Sequence, residues 1–168
     1  VGTVGFGKIG QAVAHLLEPF GVNVGYHDPF ADVPGYTRLE LDDLMGWADV
    51  ITLHCPKTEN GAPLLDLGRL SLMRPGSIIL NIARGGLIDE KALLGLLTAG
   101  HLAGAALDCF TKEPYDGPLK EMDNVILTPH MAFYSDTALF DCLRIACQNL
   151  TYYLNGEHDK VNRFVPRE

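Results

Sequence analysis

Apolar residues fall into two kinds of pattern along this chain. In one they run together in short blocks: VGTV (1–4), VNVGYHD (22–28), DVITLHCP (49–56), GSIILNIA (76–83), GAALD (104–108) and NVILT (124–128). In the other they recur at every third or fourth place, as one face of a helix requires. Ile9, Val13, Leu16 and Leu17 do so across 8–20, with Gly21 placed to stop the helix. Further helices are predicted over 39–48, 65–73 and 90–100, the last opened by Asp89 and closed by Gly100, and a long one over 135–156. Strands that are apolar throughout, rather than alternating, suit a sheet covered on both faces. Strand and helix in alternation predict an α/β chain with a doubly wound parallel sheet.

The glycines sharpen that expectation. Gly5-Phe6-Gly7-Lys8-Ile9-Gly10 sits between the first apolar block and the first helix. In that context GxGxxG reads as the dinucleotide turn of a Rossmann-type sheet. Gly5 permits the tight turn, Gly7 lets the backbone approach a pyrophosphate, and Gly10 lets the helix pack on the strand. Backbone N–H groups near Lys8 and Ile9 then face the phosphates. Asp28 closes the second block, where an acid accepts from the adenosine ribose hydroxyls and repels a 2′-phosphate. Pro29 and Phe30 after it offer no base, so NAD is favoured over NADP. The alternative is a plain strand-to-helix turn with Asp28 as a strand-end cap.

Composition narrows the class. At 168 residues and 47% hydrophobic, the chain can bury one sizeable core. A net charge of −8 argues against direct contact with nucleic acid, which calls for a basic face. No apolar run approaches the roughly 18 residues a membrane helix needs. Cys55, Cys109, Cys142 and Cys147 make no CxxC pair, and the histidines are scattered. Reduced thiols in a cytoplasmic protein with no metal site are the expectation.

Three later strand ends carry reactive side chains. NIARGG holds Arg84, LDCFTKEP holds Asp108 and Glu113, and LTPH ends on His130. The C-terminal ends of parallel strands line the ligand crevice, so these residues are expected to converge there. Singly, Arg84 reads equally as a surface arginine, Glu113 as a loop carboxylate and His130 as a helix-entry residue.

With VGFGKIG, Asp28, LHCPKTEN, LNIARGGLIDEKAL, GAALDCFTKEP and LTPH in this order, the chain resembles the D-isomer-specific 2-hydroxyacid dehydrogenases from residue 1 to about 156. The resemblance implies a catalytic set of Arg84, Glu113 and His130. Reducing a 2-keto acid needs a cation for the carboxylate and a proton for the carbonyl oxygen. Arg84 offers the planar fork, and His130 the acid or base. Glu113 is expected to hydrogen-bond His130 and support its charge. The resemblance also implies that Asp108 meets the nicotinamide side, and that Cys55-Pro56 and Ile82-Ala83 wall the cofactor cleft. A small 2-keto or 2-hydroxy acid is the implied substrate, NAD the cofactor and a homodimer the implied assembly.

The run HMAFYSD after the histidine departs from members that continue with small residues. It is similar to branches with an aromatic-Tyr-Ser run, among them D-lactate-type enzymes and the C-terminal-binding-protein corepressors. An NAD-sensing corepressor or scaffold therefore stands as the alternative function. Family chains begin in a substrate domain. The expectation is a cofactor domain over 1–154 without that partner domain, followed by a tail over 155–168 that would return towards it. Alone, such a piece should bind NAD with little turnover.

Overall fold

The computed structural model describes residues 1–162. Among these, seven strands form one sheet: β1 (Gly2–Val4), β2 (Gly25–His27), β3 (Thr37–Arg38), β4 (Val50–Leu53), β5 (Ser77–Asn81), β6 (Leu102–Leu107) and β7 (Val125–Leu127). Their order is β3-β2-β1-β4-β5-β6-β7, and every pairing is parallel. The order reverses between β1 and β4, which opens a crevice at the carboxyl ends of those two strands. The doubly wound sheet expected from the sequence is the fold found.

Helices α1 (Lys8–Leu17), α2 (Leu41–Trp47), α3 (Leu67–Leu70) and α4 (Glu90–Thr98) connect the strands. Residues two apart on a strand share a face. Val4, Ile51, Leu53, Ile79, Ala105 and Leu107 therefore project to one side, where Leu44 and Met45 of α2, Leu70 of α3 and Leu93 and Leu97 of α4 bury them. Each of the Val, Ile, Leu and Met side chains, fully buried, contributes about 1.5–3 kcal/mol. The opposite side carries a smaller cluster around Phe6, Ala14 of α1 and Tyr26. On that side Ile78 and Ile126 stay 40% and 67% exposed, so the two faces of β5–β7 are unequally covered.

Several boundaries differ from expectation for local reasons. The helix from Lys8 yields to a 3-10 turn at Glu18–Phe20, where Pro19 brings no N–H, and Gly21 caps it at φ 68°. The helix expected over 65–73 shrinks to Leu67–Leu70 behind the Asp66 cap, whose carboxylate accepts from the Arg69 N–H. Strand β3 has no apolar block at all. Thr37 and Arg38 are exposed, and pairing to Gly25 and Tyr26 alone makes them a strand.

Contacts divide the chain into residues 1–130 and the part from Met131 onward. The first unit holds the sheet and every candidate site residue. The second is built on α5 (Asp136–Leu154), which starts at the Ser135 cap and buries none of its side chains. The end of the expected tail, 163–168, lies outside the described residues. No helix among the described residues is long and apolar enough to cross a membrane. No group of three or more His, Cys, Asp or Glu among them could hold a metal ion.

Candidate active site

The dinucleotide end is made of backbone. Gly5 leaves β1 at φ 91°, and a Cβ there would lie 2.6 Å from the His54 carbonyl oxygen on the neighbouring strand end. A Cβ on Gly10 would drive into the carbonyl oxygen of Gly5, whereas one on Gly7 would meet nothing within 4 Å. Two glycines thus seal the turn against the sheet and the third leaves it open outward. Helix α1 begins behind Gly7 with no acidic residue in its first turn, so nothing there competes with an incoming anion. Phe6, between the glycines, is fully buried. Its ring stacks on Tyr26 at 4.0 Å and meets Tyr36 edge-on at 5.1 Å.

Asp28 is tied to the same turn. One carboxylate oxygen accepts from the Phe6 N–H at 2.8 Å, the other from Phe30 at 2.8 Å and Ala31 at 3.0 Å. The strand-end cap weighed in the sequence is therefore real, and it fixes the carboxylate beside the glycine turn. Parallel pairing also brings up a base that the residues after Asp28 do not reveal. Arg38 of β3 donates to the Pro29 carbonyl at 3.2 Å.

Across the crevice, Cys55 and Pro56 follow β4. Burial pushes the Cys55 thiol up to about 11, which keeps it protonated near neutral pH. His54 sits beside it, its ring nitrogen 3.1 Å from the Thr52 hydroxyl, and burial lowers its pKa.

The other end is made of side chains. β5 runs into Asn81, then the exposed Ile82, buried Ala83 and exposed Arg84. The next residue, Gly85, lies so close to the Phe110 backbone that a Cβ would overlap it. That contact clamps the Arg84 loop to the exit of β6. There Asp108 is 2% exposed and accepts from the Thr128 hydroxyl at 2.6 Å. Burial raises the neighbouring Cys109 thiol to about 11. Asp108 and Glu113 add to the rise and Arg84 opposes it, which puts all three charges around one buried sulfur.

Glu113 and His130 meet directly. His130 Nδ1 lies 2.9 Å and 3.1 Å from the two Glu113 oxygens, and Glu113 also accepts from the Phe110 N–H at 3.0 Å. These bonds, the one to His130 foremost, hold the Glu113 carboxyl below its usual range. With Nδ1 committed to a carboxylate, Nε2 is the nitrogen left for chemistry. His130 adopts φ 54°, unusual for a residue with a Cβ, and its N–H bonds the Thr128 carbonyl at 3.0 Å. A cavity of about 450 Å³ opens beside the pair, bounded by Phe110, Tyr115 and Leu127.

Residues 1–132 match the D-isomer specific 2-hydroxyacid dehydrogenase, NAD binding domain family. The chain belongs to that family. It is 46% identical over 137 residues to D-3-phosphoglycerate dehydrogenase of Mycobacterium tuberculosis, covering 78% of this chain and 26% of the relative. The TT0316 protein of Thermus thermophilus superposes with a TM-score of 0.86 at 41% identity, covering 92% of this chain and 50% of that one. An acyclic imino acid reductase solved with NADPH and D-Arg gives 0.86 at 35% identity, again over 92% and 50%. The chain thus spans about half the length of these structural relatives.

As an NAD-binding domain, the chain carries a turn that suits the cofactor. Gly7 leaves an open approach, the start of α1 offers N–H donors, and a fixed carboxylate stands at the end of β2. Composition and spacing point to the glycines, Asp28 and the charged strand ends. They assign no part to Asn81, Thr128 and Gly85, which contact the Arg84 loop and Asp108. The doublet Gly85-Gly86 is a visible signal for a close backbone approach, while Asn81 and Thr128 carry none.

Proposed function

We propose that the intact protein carrying this domain is an NAD-dependent oxidoreductase that interconverts a D-2-hydroxy acid and its 2-keto acid. The bond between His130 and Glu113, on the same sheet edge as Arg84, carries the reading. When bound, the nicotinamide supplies or takes up the hydride. Arg84 holds the substrate carboxylate in its guanidinium fork. His130, through Nε2, gives a proton to the carbonyl oxygen in reduction and takes it from the hydroxyl in oxidation. Glu113 fixes the Nδ1–H tautomer and supports the imidazolium. In this reading Asp108, bonded by Thr128, serves the nicotinamide side, and Cys55-Pro56 with Ile82-Ala83 wall the cleft. Gly5, Gly7, Gly10 and the N–H groups of Lys8 and Ile9 take the phosphates, and Asp28 the ribose. The reading includes a homodimer in the cytoplasm.

The test is turnover by the intact protein with NADH and a panel of 2-keto acids, run beside His130→Ala. The substitution should lower kcat by about 10²–10⁴-fold, the usual worth of a positioned acid–base group. Cofactor affinity should stay within about threefold, because His130 lies at the other end of the cleft from the glycine turn. Near-normal turnover by His130→Ala would remove the proton-donor role. Tight NADH binding with no turnover of any keto acid by the unsubstituted protein would favour the corepressor or scaffold.

A further inference from the structure

Asn81 is the last residue of β5 and only 2% exposed, so its amide needs partners inside the protein. Both ends of its amide go to the loop that carries Arg84. Oδ1 accepts from the Ala83 N–H at 3.1 Å, and Nδ2 donates to the Arg84 carbonyl at 3.0 Å. Its main-chain carbonyl meanwhile accepts from the Asp108 N–H at 2.9 Å, joining the ends of β5 and β6.

We infer that Asn81 is the positioning residue for Arg84, its buried amide bonding the Ile82–Ala83 and Arg84–Gly85 peptide groups so that the guanidinium is presented at the sheet edge. The inference rests on the reading of Arg84 as the carboxylate anchor. Burial anchors this turn only through the small Ala83, because Ile82 and Arg84 are both exposed. The loop is pinned behind by β5 and ahead by Gly85 against Phe110. Between those pins the bonds that fix the chain are the two from Asn81 and one from Arg84 Nη1 to the Ala83 carbonyl at 2.6 Å. The chemistry requires an amide. Aspartate keeps the acceptor for Ala83 but sets a negative oxygen against the Arg84 carbonyl. Serine offers one short hydroxyl in place of two separate amide atoms and so cannot reach both partners, and leucine offers neither.

The experiment is a double-mutant cycle in the intact protein, with NADH and its best 2-keto acid. Asn81→Ser should lower kcat/KM by about 10–100-fold, the scale of an ångström of misplacement. KM should carry most of the loss, and the NADH Kd should move less than about twofold. On top of Arg84→Ala, the same substitution should change kcat/KM by less than about twofold, because the residue it positions is gone. Asn81→Asp, which keeps the size of the side chain, gives a second readout. Its activity relative to wild type should recover as pH falls from about 8 to about 5, since a protonated carboxyl can again donate to the Arg84 carbonyl. A loss that persists in full on Arg84→Ala, or an NADH Kd that weakens in step with kcat/KM, would overturn the inference and leave the proposed function standing. Normal turnover by Arg84→Ala would overturn both.

Discussion

The two ends of the cleft are built from different material. Around β1, β2 and β4 the site is main chain: glycines seated against carbonyls, the start of α1, and a carboxylate held by three backbone N–H groups. Around β5, β6 and β7 it is side chains: Arg84 at the end of one strand, and a glutamate and a histidine that reach each other across seventeen residues of sequence. A backbone site tolerates changes of side chain but not the addition of a Cβ. A side-chain site depends on residue identity and on whatever holds each residue still. Damage should therefore separate, with cofactor affinity lost at one end and turnover at the other.

Added methyl groups make the largest break. Gly10→Ala and Gly85→Ala each force a Cβ into backbone, and each should destabilise the fold by about 1–3 kcal/mol or more in urea unfolding. Gly10→Ala should also weaken NADH binding strongly, while Gly85→Ala should spare it and depress turnover. Gly7→Ala sharpens the contrast. With nothing within 4 Å of its Cβ, stability should stay within about 0.5 kcal/mol while cofactor affinity falls, because the pyrophosphate needs that close approach. If Gly7→Ala left NADH binding unchanged, the backbone-cradle account of this end would fail.

Asp28 comes next, because the carboxylate proposed for the ribose also ties down the glycine turn. Removing its carboxylate strands buried N–H donors, each costing about 1–3 kcal/mol. Asp28→Ala should therefore lower Tm in the absence of cofactor, a loss that a residue devoted to ribose alone would not show. In the unsubstituted protein NAD(H) should bind at least about tenfold tighter than NADP(H), a difference of about 1.4 kcal/mol. Arg38→Ala should widen that gap by withdrawing a cation held at the end of β2. Parallel titrations of the two cofactors measure both effects, and tighter binding of NADP(H) would reverse the assignment.

The smallest effect concerns Glu113. Its carboxyl is held below the usual range, so its pairing with His130 contributes fully above the ordinary carboxylate value and fades as pH falls through the lower folded value. The Tm gap between wild type and Glu113→Gln should accordingly shrink between about pH 5 and about pH 3. It should be modest, since both partners are partly exposed and screened. A gap that stayed constant over that range would mean the pairing adds nothing to the fold.

The same division explains how much the sequence can tell. A backbone site announces itself, because only glycine satisfies it and glycines stand out at fixed spacing; Gly5, Gly7 and Gly10 all stand in the turn their order implies. Of the other end, Arg84, Glu113 and His130 are visible as charges at strand ends, and a parallel sheet sets those ends along one edge, where Glu113 and His130 meet. Their supports are not visible. Asn81 and Thr128 are ordinary polar residues until the fold sets an amide against the Arg84 carbonyl and a hydroxyl against Asp108. Strand β3 escapes for a related reason. Thr37 and Arg38 bury nothing, so no pattern of apolar residues marks them, and nothing in the sequence sets Arg38 beside the end of β2.

His130 holds its backbone at φ 54°, where a residue with a Cβ is strained by roughly 1–2 kcal/mol and glycine is at ease. Mutational drift acting on folding alone would thus run downhill at this position, away from the imidazole. A library sorted only for heat resistance would be enriched in glycine there and would discard the imidazole among its first gains. The backbone at His130 thus sets stability against the imidazole, and a stability screen of His130→Gly beside an activity assay would read the two demands separately.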